Sequence, residues 1–463
     1  MAIRIYNSLT KQKENFIPLE DNKVKMYACG ITVSGQAHIG HAIQAMIFDI
    51  IRKYFEKQGY NVTYARNYTD VDDKIIINAN KLGVNAMDFA EENMALIEKE
   101  MARLGVDKAT MTLRATEHID RIIEFVSKLI DTGYAYSTDA GDVYFAVEKF
   151  AEYGKLSNRN LEDAISGVRI DTEDNKKNPL DFALWKSAKP GEIFWESPWG
   201  KGRPGWHIEC SVMNYYNLGE QIDIHGGGRD LIFPHHENEI AQTECLTHKP
   251  FAKYWMHNGL VKVNGQKMSK SLNNGILIKD LLDNYDNEVV RFALLQTNYK
   301  NDVNITDDLF PNSKNHMLHF YETLKKVNDL NISSDKKADI VDKEFNEAMD
   351  DDFNTAKALA NLFGYFKTIN SNLSTNPQLS KEYANAIIET YNLFGLFKQD
   401  PTTFIKANSE TSSIPDNIKR LAEERWQAKS NKDWTKADAL RAELLELGYI
   451  IKDSATGYEI ITK

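Results

Sequence analysis

The feature that most constrains the fold is a succession of strand, loop, helix and strand near the start of the chain. Residues 23–29 alternate polar and apolar side chains like a short strand and run into Gly30. From His38, apolar residues recur at steps of three and four, which predicts a helix that Gly59 closes. Residues 62–66 are the next predicted strand. This βαβ unit predicts an α/β fold with a Rossmann-like, doubly wound parallel sheet, whose ligands bind beyond the carboxyl ends of the strands.

The same pattern returns further along the chain after an interruption. Residues 84–132 have the spacing of amphipathic helices, whereas residues 141–205 combine short strands, glycine- and proline-containing loops and tryptophans. We therefore expect 141–205 to belong to an inserted subdomain. A strand at 222–225, a turn at 226–228 and a helix from about 234 to 246 then resume the nucleotide-binding pattern.

The C-terminal part of the sequence is predicted to be helical. Helical patterns cover roughly 310–330, 340–370 and 380–396, and the polar, proline-containing residues 399–415 are predicted to be a linker. From Asp416 onward, basic and acidic side chains balance, so the rest of the chain carries the net charge of −11. A neutral tail on an acidic chain is a weak indication of a module that faces a polyanion.

Size and composition narrow the class of protein. A chain of 463 residues exceeds a single hydrophobic core, so two to four domains are expected. The sequence contains neither a membrane-spanning apolar run nor an apolar signal segment, which predicts no membrane partner and a cytoplasmic location. Three cysteines are too few for a disulfide framework, which favours a reducing compartment. No pattern requires an obligate dimer, and we expect a monomer.

Two histidines open the first predicted helix. His38 and His41 share one helix face, so their imidazoles converge where free N–H groups and the helix dipole already favour anions. This arrangement suits a triphosphate whose α-phosphorus becomes five-coordinate, and Gly40 would let an adenine base approach the backbone. The alternative is a pair of surface histidines at the start of an ordinary helix.

A second string, Lys-Met-Ser-Lys-Ser, occupies residues 267–271 in a context rich in glycine, asparagine and serine. Lys267 and Lys270, on a mobile loop, can close over the β- and γ-phosphates and stabilise the charge of departing pyrophosphate. Alone, such a loop is usually solvated surface. The two strings together are a far more specific sequence signature than either string alone.

Residue types that bind metals also occur in a suggestive pattern. The candidates are Cys29, Cys210, Cys245 and the cluster at 235–239. On a helix His235 and Glu239 face one way, while His236 and Glu237 are predicted to point elsewhere. Two thiolates, an imidazole and a carboxylate are a plausible Zn²⁺ set. Because the spacing has no zinc-finger signature, small buried core cysteines are the alternative.

With both phosphate-handling strings present, the chain resembles the class I aminoacyl-tRNA synthetases. Four longer strings are similar, within that class, to the cysteinyl-tRNA synthetase family, and they occupy residues 27–33, 66–75, 205–211 and 225–239. The resemblance covers essentially the whole chain. It implies a catalytic nucleotide-binding domain at 1–305, with an inserted connective subdomain at about 135–205 and a linking region at about 250–305, then a helical bundle at 306–398, a linker at 399–415 and a small anticodon-binding domain at 416–463.

The resemblance also implies a reaction and its partners. Cysteine and ATP, with Mg²⁺, would give cysteinyl-adenylate and pyrophosphate, and the cysteinyl group would then pass to the 3'-terminal adenosine of tRNA(Cys). No DNA partner is expected. One Zn²⁺ per chain would be held by Cys29, Cys210, His235 and Glu239, leaving Cys245 as a core thiol. Because zinc prefers a soft thiolate to a serine hydroxyl, it would separate cysteine from serine without an editing site.

Further roles follow from the resemblance, position by position. The implied catalytic residues are His38, His41, Lys267 and Lys270. The implied ATP-binding residues are Gly40, Gly228, Asp230 and Lys270. The implied amino-acid pocket contains Thr69, Trp206 and His225, and the implied tRNA contacts are Trp434, Asp438 and Asp453. Ordinary structural roles are the alternatives: a turn at Thr69, a packed Trp206, a capped turn at Asp230, and a Trp434 that anchors the core of the tail.

The sequence departs from the family pattern at three places. Ser34-Gly35 stands where Tyr-Asp is common, Ile43 stands where an arginine is common, and residues 457–460 replace the usual Gly-Thr-Thr-Trp. These departures concern contacts with the acceptor end and the anticodon, not the chemistry.

Three other functions compete with this interpretation. A related ligase family transfers cysteine to a small amino sugar, but its members are shortened at the C-terminus, unlike this chain. A zinc hydrolase with Glu237 or Glu239 as general base would have no use for the Lys-Met-Ser-Lys-Ser loop. An inactive RNA-binding relative would be expected to have lost one of the two phosphate-handling strings.

Overall fold

The computed structural model describes residues 2–159, 176–268, 272, 274–409, 416–431, 433–453 and 457–462. Its strands are β1 (Arg4–Asn7), β2 (Gln12–Asn15), β3 (Lys23–Thr32), β4 (Asn61–Thr69), β5 (Met111–Arg114), β6 (Ala135–Ser137), β7 (Val143–Phe145), β8 (Phe182–Ser187), β9 (Gly202–Pro204), β10 (Ile222–Gly228), β11 (Ala252–Asn258), β12 (Val261–Val263), β13 (Gln266–Lys267), β14 (Val303–Ile305), β15 (Tyr449–Asp453) and β16 (Tyr458–Thr462). Its helices are α1 (Ile39–Lys57), α2 (Asp73–Leu82), α3 (Ala86–Arg103), α4 (Ile119–Asp131), α5 (Trp206–Leu218), α6 (Glu237–Thr247), α7 (Ile278–Asn284), α8 (Asn287–Leu295), α9 (Leu309–Asp329), α10 (Asp339–Met349), α11 (Thr355–Asn372), α12 (Pro377–Tyr391), α13 (Pro401–Asn408), α14 (Asp416–Ser430) and α15 (Trp434–Glu446).

A five-stranded sheet in the order β11-β10-β3-β4-β5 forms the centre of the fold. All of its neighbouring strands are parallel, and β3 and β4 remain paired from Lys23–Asn61 to Thr32–Thr69. The predicted βαβ unit and the α/β parallel-sheet fold are therefore confirmed. From β3 the chain adds β4 and then β5 on one side of the sheet, whereas from β10 it adds β11 on the other side. The topological switch point therefore lies between β3 and β10.

Helix α1 begins directly after His38, which is its N-cap, and buries most of its apolar residues. The predicted closure is also present, because Gly59 has a φ of +90° beyond the end of the helix. Helix α1 therefore presents its N-terminus at the carboxyl end of β3, next to the switch point.

Three details of the sequence prediction are wrong. Residues 111–114 form edge strand β5 inside a segment predicted to be helical, since four residues are too few to reveal a period. Residues 226–228 continue strand β10 instead of forming its turn, and a Cβ at Gly226 would lie 2.2 Å from the Phe48 ring. The helix predicted at 340–370 is two helices, because Asp352 and Phe353 have positive φ angles of 66° and 50°.

The expected short strands between 141 and 205 are present as part of an antiparallel sheet, β6-β7-β8-β9. This sheet packs on α4 and α5 through an aromatic and aliphatic cluster that includes Phe125, Phe145 and Trp185. The sheet leads directly into α5, and so it fixes where that helix begins. Two smaller sheets are formed by strands outside this range of the sequence: β1-β2 precedes the strands of the central sheet, and β13-β12-β14 follows them.

The chain forms two compact units, residues 1–317 with 326–398, and residues 318–325 with 399–463. In the second unit, α14 and α15 pack with the β15–β16 hairpin around Ile418, Ala422, Leu444 and Ile451. Residues 401–408 of the predicted linker form α13, which Asp400 caps, so that part of the linker prediction is wrong. Residues 410–415 lie outside the described residues. Among the helices that are described, none combines the length and apolar character needed to cross a membrane.

Candidate active site and metal cluster

A cavity of about 390 Å³ opens at the switch point between β3 and β10. Its walls come from the end of β3, the start of α1, the glycine end of β10 and the segment from Asn258 to Met268. It brings together seven residues that the sequence singled out, namely His38, Gly40, His41, Trp206, Gly228, Asp230 and Lys267. Residues remote in the sequence thus meet at the place where doubly wound sheets bind their ligands.

The two histidines at the start of α1 lie side by side. Their ring centroids are 3.6 Å apart, and the rings are nearly parallel, at 21°. The Nδ1 atom of His38 accepts a hydrogen bond from the N–H of Gly40 at 3.2 Å, and that of His41 accepts one from the N–H of His38 at 3.3 Å. In the neutral state each ring therefore carries its proton on Nε2, as a donor. The predicted convergence of the imidazoles at the helix N-terminus is present.

Backbone pairing joins the loop that carries Lys267 to the start of α1. The N–H of Ile39 donates to the carbonyl of Ile276 at 2.9 Å, and the N–H of Ile278 donates to that of Ala37 at 3.1 Å. Lys267, at the end of β13, lies on the wall of the cavity, while Lys270 lies outside the described residues. The pairing holds residues 276–278, which follow the second string in the sequence, against the start of the helix that carries the first.

Gly228 and Asp230 form the wall at the end of β10. A Cβ at Gly228 would lie 2.5 Å from Oδ1 of Asp230, so the carboxylate folds over the place that a side chain would occupy. A glycine at this position therefore keeps the Asp230 carboxylate on the wall of the cavity.

A compact cluster of metal-binding side chains lies beside this cavity. Cys29, Cys210, His235 and Glu239 are all buried, and their ligand atoms lie within 4.8 Å of one another. The two Sγ atoms are 3.7 Å apart, Cys29 Sγ is 3.3 Å from Glu239 Oε1, and His235 Nε2 is 3.0 Å from that oxygen. Tetrahedral zinc with Zn–S bonds of ~2.3 Å places its sulfur ligands about 3.8 Å apart. The donor set and its spacing therefore fit a metal site.

Four elements deliver these side chains. Cys29 lies near the end of β3, Cys210 on α5, His235 in the turn before α6, and Glu239 in the first turn of α6. His207 supports the cluster from behind, since its Nδ1 lies 3.0 Å from Nδ1 of His235 and leaves Nε2 of His235 to face Glu239. Such outer hydrogen bonds orient metal-binding imidazoles.

The ionisable groups of the cluster shift one another's pKa values. Burial raises the pKa of the Cys29 thiol well above its usual value, and Cys210 and Glu239 raise it further. Burial acts in the same direction on Cys210, but hydrogen bonds with Cys29 and His235 outweigh it and lower the pKa of Cys210 to about 6. Although burial opposes it, the imidazoles of His225 and His235 hold the pKa of Glu239 well below its usual range. Negative charge is thus buried on Cys210 and Glu239, it opposes ionisation of Cys29, and a site of this kind favours a cation.

Two further histidines reach the cluster. His225 Nε2 lies 3.2 Å from Glu239 Oε2 and 3.5 Å from Cys29 Sγ. His236 Nε2 lies 3.9 Å from Glu239 Oε1, and its Nδ1 lies 2.8 Å from Nε2 of His257. The prediction that His236 points away is therefore wrong, because His236 has helical backbone angles and lies three residues before Glu239, a spacing that puts both side chains on one face. His257 was missed for lack of any local motif.

Glu237 does point away, as expected. Its carboxylate accepts hydrogen bonds from the backbone N–H groups of Leu156 and Ser157, at 3.3 and 2.8 Å. Thr69, expected in the amino-acid pocket, donates its hydroxyl to Glu209 at 2.8 Å and is buried. Burial raises the pKa of Glu209 well above its usual value, and Cys210 adds to the effect. Glu209 was not among the site residues predicted from the sequence.

The cavity and the cluster are neighbours. The centroid of the Trp206 ring lies 4.2 Å from that of the His235 ring. Trp206 also belongs to the wall of the cavity. Gln44, also on that wall, donates to the backbone carbonyl of Cys29 at 2.5 Å. Trp206 is 38% exposed, so it is not the packed core residue of the alternative interpretation.

The tail residues differ in their surroundings. Trp434 is 58% exposed, and Asp438 is exposed as well, so Trp434 does not anchor the core of the tail. Asp453 accepts from both Nη atoms of Arg425, at 2.7 and 2.9 Å, and from Lys429 at 2.7 Å. Its carboxylate is therefore already engaged within the tail.

The remaining residues of the sequence analysis are readily located. Ser34 and Gly35 line the cavity, Ile43 is buried in α1, and Cys245 is buried against the inserted sheet. Residues 457–460 belong to the hairpin segment around β16.

Comparison with known proteins places this architecture in a family. The catalytic-domain family described as tRNA synthetases class I (C) matches residues 15–315, the DALR domain matches 344–398, and the cysteinyl-tRNA ligase anticodon binding domain matches 411–459. The chain is 46% identical to a cysteine–tRNA ligase of Thermodesulfovibrio yellowstonii, over 97% of this chain and 98% of that one. It is 45% identical to one of Geobacter metallireducens, over 99% of both chains.

Solved structures share the fold at much lower identity. Mycobacterium tuberculosis methionyl-tRNA synthetase in complex with methionyl-adenylate superposes with a TM-score of 0.56 at 14% identity, over 83% of this chain and 91% of that one. The family strings, the class I architecture and the full-length similarity agree. The chain belongs to the cysteine–tRNA ligase family of class I aminoacyl-tRNA synthetases.

Proposed function

We propose that this chain activates cysteine with ATP, releases pyrophosphate and transfers the cysteinyl group to the 3'-terminal adenosine of tRNA(Cys), acting in the cytoplasm. The observation that carries the proposal is the juxtaposition of two sites. One is the cavity lined by His38, His41 and Lys267, and the other is the buried quartet of Cys29, Cys210, His235 and Glu239. The first suits a nucleoside triphosphate and the second suits a thiol-binding metal.

In the first step the triphosphate of ATP lies across the N-terminus of α1. The Nε2–H groups of His38 and His41, together with the helix dipole, stabilise negative charge on the α-phosphate as the cysteine carboxylate attacks it. Gly40 leaves room for the base, Asp230 accepts from ribose hydroxyls, and Lys267 with Lys270 neutralises the departing pyrophosphate. Mg²⁺ that enters with ATP would neutralise further negative charge of the triphosphate.

The quartet would hold Zn²⁺, which supplies a soft Lewis acid for the substrate thiolate and so distinguishes cysteine from serine. The chain's own residues orient this site. His207 orients the ring of His235, and His225 contacts both Glu239 and Cys29. Thr69 and Trp206 flank the amino acid, with Trp206 between the quartet and the nucleotide cavity.

For the second step we propose that the tail binds the anticodon. Trp434, on the surface at the start of α15, is suited to stack on an unpaired base, and Asp438 lies one turn further along the same helix. Asp453 would contact a base only after releasing Arg425 or Lys429. We therefore propose that its main role is to hold the tail together.

The competing functions have less support. A hydrolase would need a carboxylate free to act as base, yet Glu237 caps two backbone N–H groups and Glu239 is part of the quartet. A ligase with an amino-sugar acceptor would have no use for the tail. The test is charging of tRNA(Cys) transcript against an amino-sugar acceptor, with the same enzyme and cysteine. Charging of tRNA alone supports the proposal, whereas transfer to the sugar alone contradicts it.

A further inference from the structure

A second, smaller cavity of about 70 Å³ lies on the opposite face of β4 from the metal cluster. Side chains alternate across a strand, so Tyr64, Arg66 and Tyr68 point into this cavity while Thr69 points toward Glu209. Helices α1 and α3, the turn after α3 and strand β5 complete its walls. It shares no residue with the cavity at the switch point.

Two polar groups of this cavity are buried without a hydrogen-bond partner among the described residues. They are the hydroxyl of Tyr64, which is only 2% exposed, and Nη2 of Arg66. Buried donors of this kind are rare in folded proteins, because each loses its hydrogen bonds to water without replacement. The guanidinium of Arg66 can only donate, and the hydroxyl of Tyr64 can donate as well as accept, so one acceptor would satisfy both groups. Burial raises the pKa of Tyr64 to about 12, which keeps the phenol protonated at neutral pH.

The charges around the cavity also favour an acceptor, and specifically an anionic one. Glu98 is paired with Lys108 at 3.0 Å, and Asp107 is paired with Lys53 at 2.8 Å. Arg66, in contrast, forms no salt bridge within the part of the chain that is described. The local excess is therefore one guanidinium, a group whose planar donors match a carboxylate.

We propose that this cavity binds a small organic carboxylate, with its oxygens on Arg66 and Tyr64 and its carbon atoms against Ala45, Met101 and Val106. At about one water-sized group per 10–15 Å³, the space accommodates roughly five non-hydrogen atoms. A carboxylate of two or three carbon atoms meets this limit. Because the two cavities are separate, its binding does not compete with ATP.

The first test uses the full-length protein and sodium propionate, at constant ionic strength against sodium chloride. We expect a saturable rise in Tm with propionate, since a ligand that binds only the folded state stabilises it. Arg66→Met removes the guanidinium and is expected to weaken binding at least tenfold, while Tyr64→Phe weakens it less. The control is Arg121→Met, an exposed arginine on α4. An equal rise in Arg66→Met and in the unaltered protein would overturn the proposal.

The second test is a crystal grown with propionate, which remains informative if Arg66→Met folds poorly. We expect density for a carboxylate within hydrogen-bond distance of Arg66 and Tyr64. Ordered water only, at a propionate concentration that saturates the Tm shift, would contradict the proposed ligand. Soaking with phosphate distinguishes an organic carboxylate from any small oxyanion, because tetrahedral density at full occupancy would exclude a preference for carboxylate.

Discussion

The indole of Trp206 lies against the imidazole of His235, with ring centroids 4.2 Å apart, and also lies on the wall of the cavity at the switch point. The tryptophan therefore stands at the boundary between the quartet and the place where ATP is proposed to bind. A reaction that joins cysteine to ATP needs both substrates in contact across such a boundary, with their reacting atoms aligned.

Replacing Trp206 should affect cysteine more than metal. We expect Trp206→Ala to raise KM for cysteine about tenfold in ATP–pyrophosphate exchange, because the amino acid loses one wall of its pocket. The zinc content should remain near that of the unaltered protein, since Trp206 supplies no ligand atom. Trp206→Phe, which keeps an aromatic wall, is the matched control and should recover most of the affinity. Loss of zinc in Trp206→Ala would assign the residue to the metal site instead.

Replacing Cys210 should remove the metal. Cys210→Ser substitutes a poor zinc ligand in a buried cluster, so we expect zinc, measured by elemental analysis, to fall below about a tenth of the original stoichiometry. The remaining exchange activity should discriminate less well against serine. Cys245→Ser, a buried thiol outside the quartet, is the control and should retain both zinc and discrimination. Full zinc in Cys210→Ser would show that Cys210 is not a ligand.

Lys267 and Lys270 of the Lys-Met-Ser-Lys-Ser string should act on the chemical step. We expect Lys270→Ala to lower kcat for adenylate formation by at least tenfold with little change in KM for cysteine, because it removes a donor to developing charge. Lys267→Ala should have an effect in the same direction. Lys279→Ala, which removes an exposed lysine paired with Asp283, should leave kcat unchanged. An unaltered kcat in Lys270→Ala would remove that residue from the mechanism.

The exposed tryptophan of the tail should matter only for RNA. Trp434→Ala removes a stacking surface, worth ~1–3 kcal/mol per base, so we expect KM for tRNA(Cys) to rise about tenfold or more. Exchange of pyrophosphate, which involves no tRNA, should be unchanged. Trp434→Phe keeps a stacking ring and should behave nearly like the unaltered protein. Normal charging by Trp434→Ala would exclude the stacking role.

Asp453 should stabilise the tail in a pH-dependent manner. Hydrogen bonds from Arg425 and Lys429 hold its pKa well below the usual value, although burial opposes the shift. Its contribution is therefore fully present above the unfolded pKa of about 3.9 and is lost as the pH falls through the lower folded value. We expect Asp453→Asn to speed hydrogen exchange in α14 and β15 at neutral pH, and the difference from the unaltered protein to vanish in strong acid. Asp438→Asn is the control; a difference that persisted in strong acid would contradict this account.

Much of the fold was predictable from local patterns. The βαβ unit at the start of the chain has a long periodic helix between two apolar strands, and each of these signals is strong by itself. Strand β5 was missed because a four-residue edge strand shows no period, and the kink at Asp352 was missed because no glycine or proline marks it. Gly226 was assigned to a turn, since the sequence does not reveal how close Phe48 comes.

The site residues that belong to long motifs were predictable from the sequence. Those that reach the site only through tertiary contacts were less predictable. The position of His38 and His41 followed from helix spacing, and the structure brings both to one cavity with Lys267. His236 was assigned to another face although it lies three residues before Glu239, a spacing that brings side chains together on a helix. His257 lies in a segment with no motif, and its place beside His236 follows only from tertiary packing. Glu209 lies inside the string at 205–211, but its hydrogen bond with the remote Thr69 is visible only in the fold.

The central claim is that this chain selects cysteine through a metal and activates it with ATP. The most direct test is amino-acid-dependent ATP–pyrophosphate exchange with cysteine and serine in parallel, with bound zinc measured in the same sample. We predict strong exchange with cysteine, none above background with serine, and about one zinc per chain, because the two possible donor sets among the described residues share Cys29 and Glu239. Equal exchange with both amino acids, or strong cysteine exchange by fully zinc-free protein, would contradict the account.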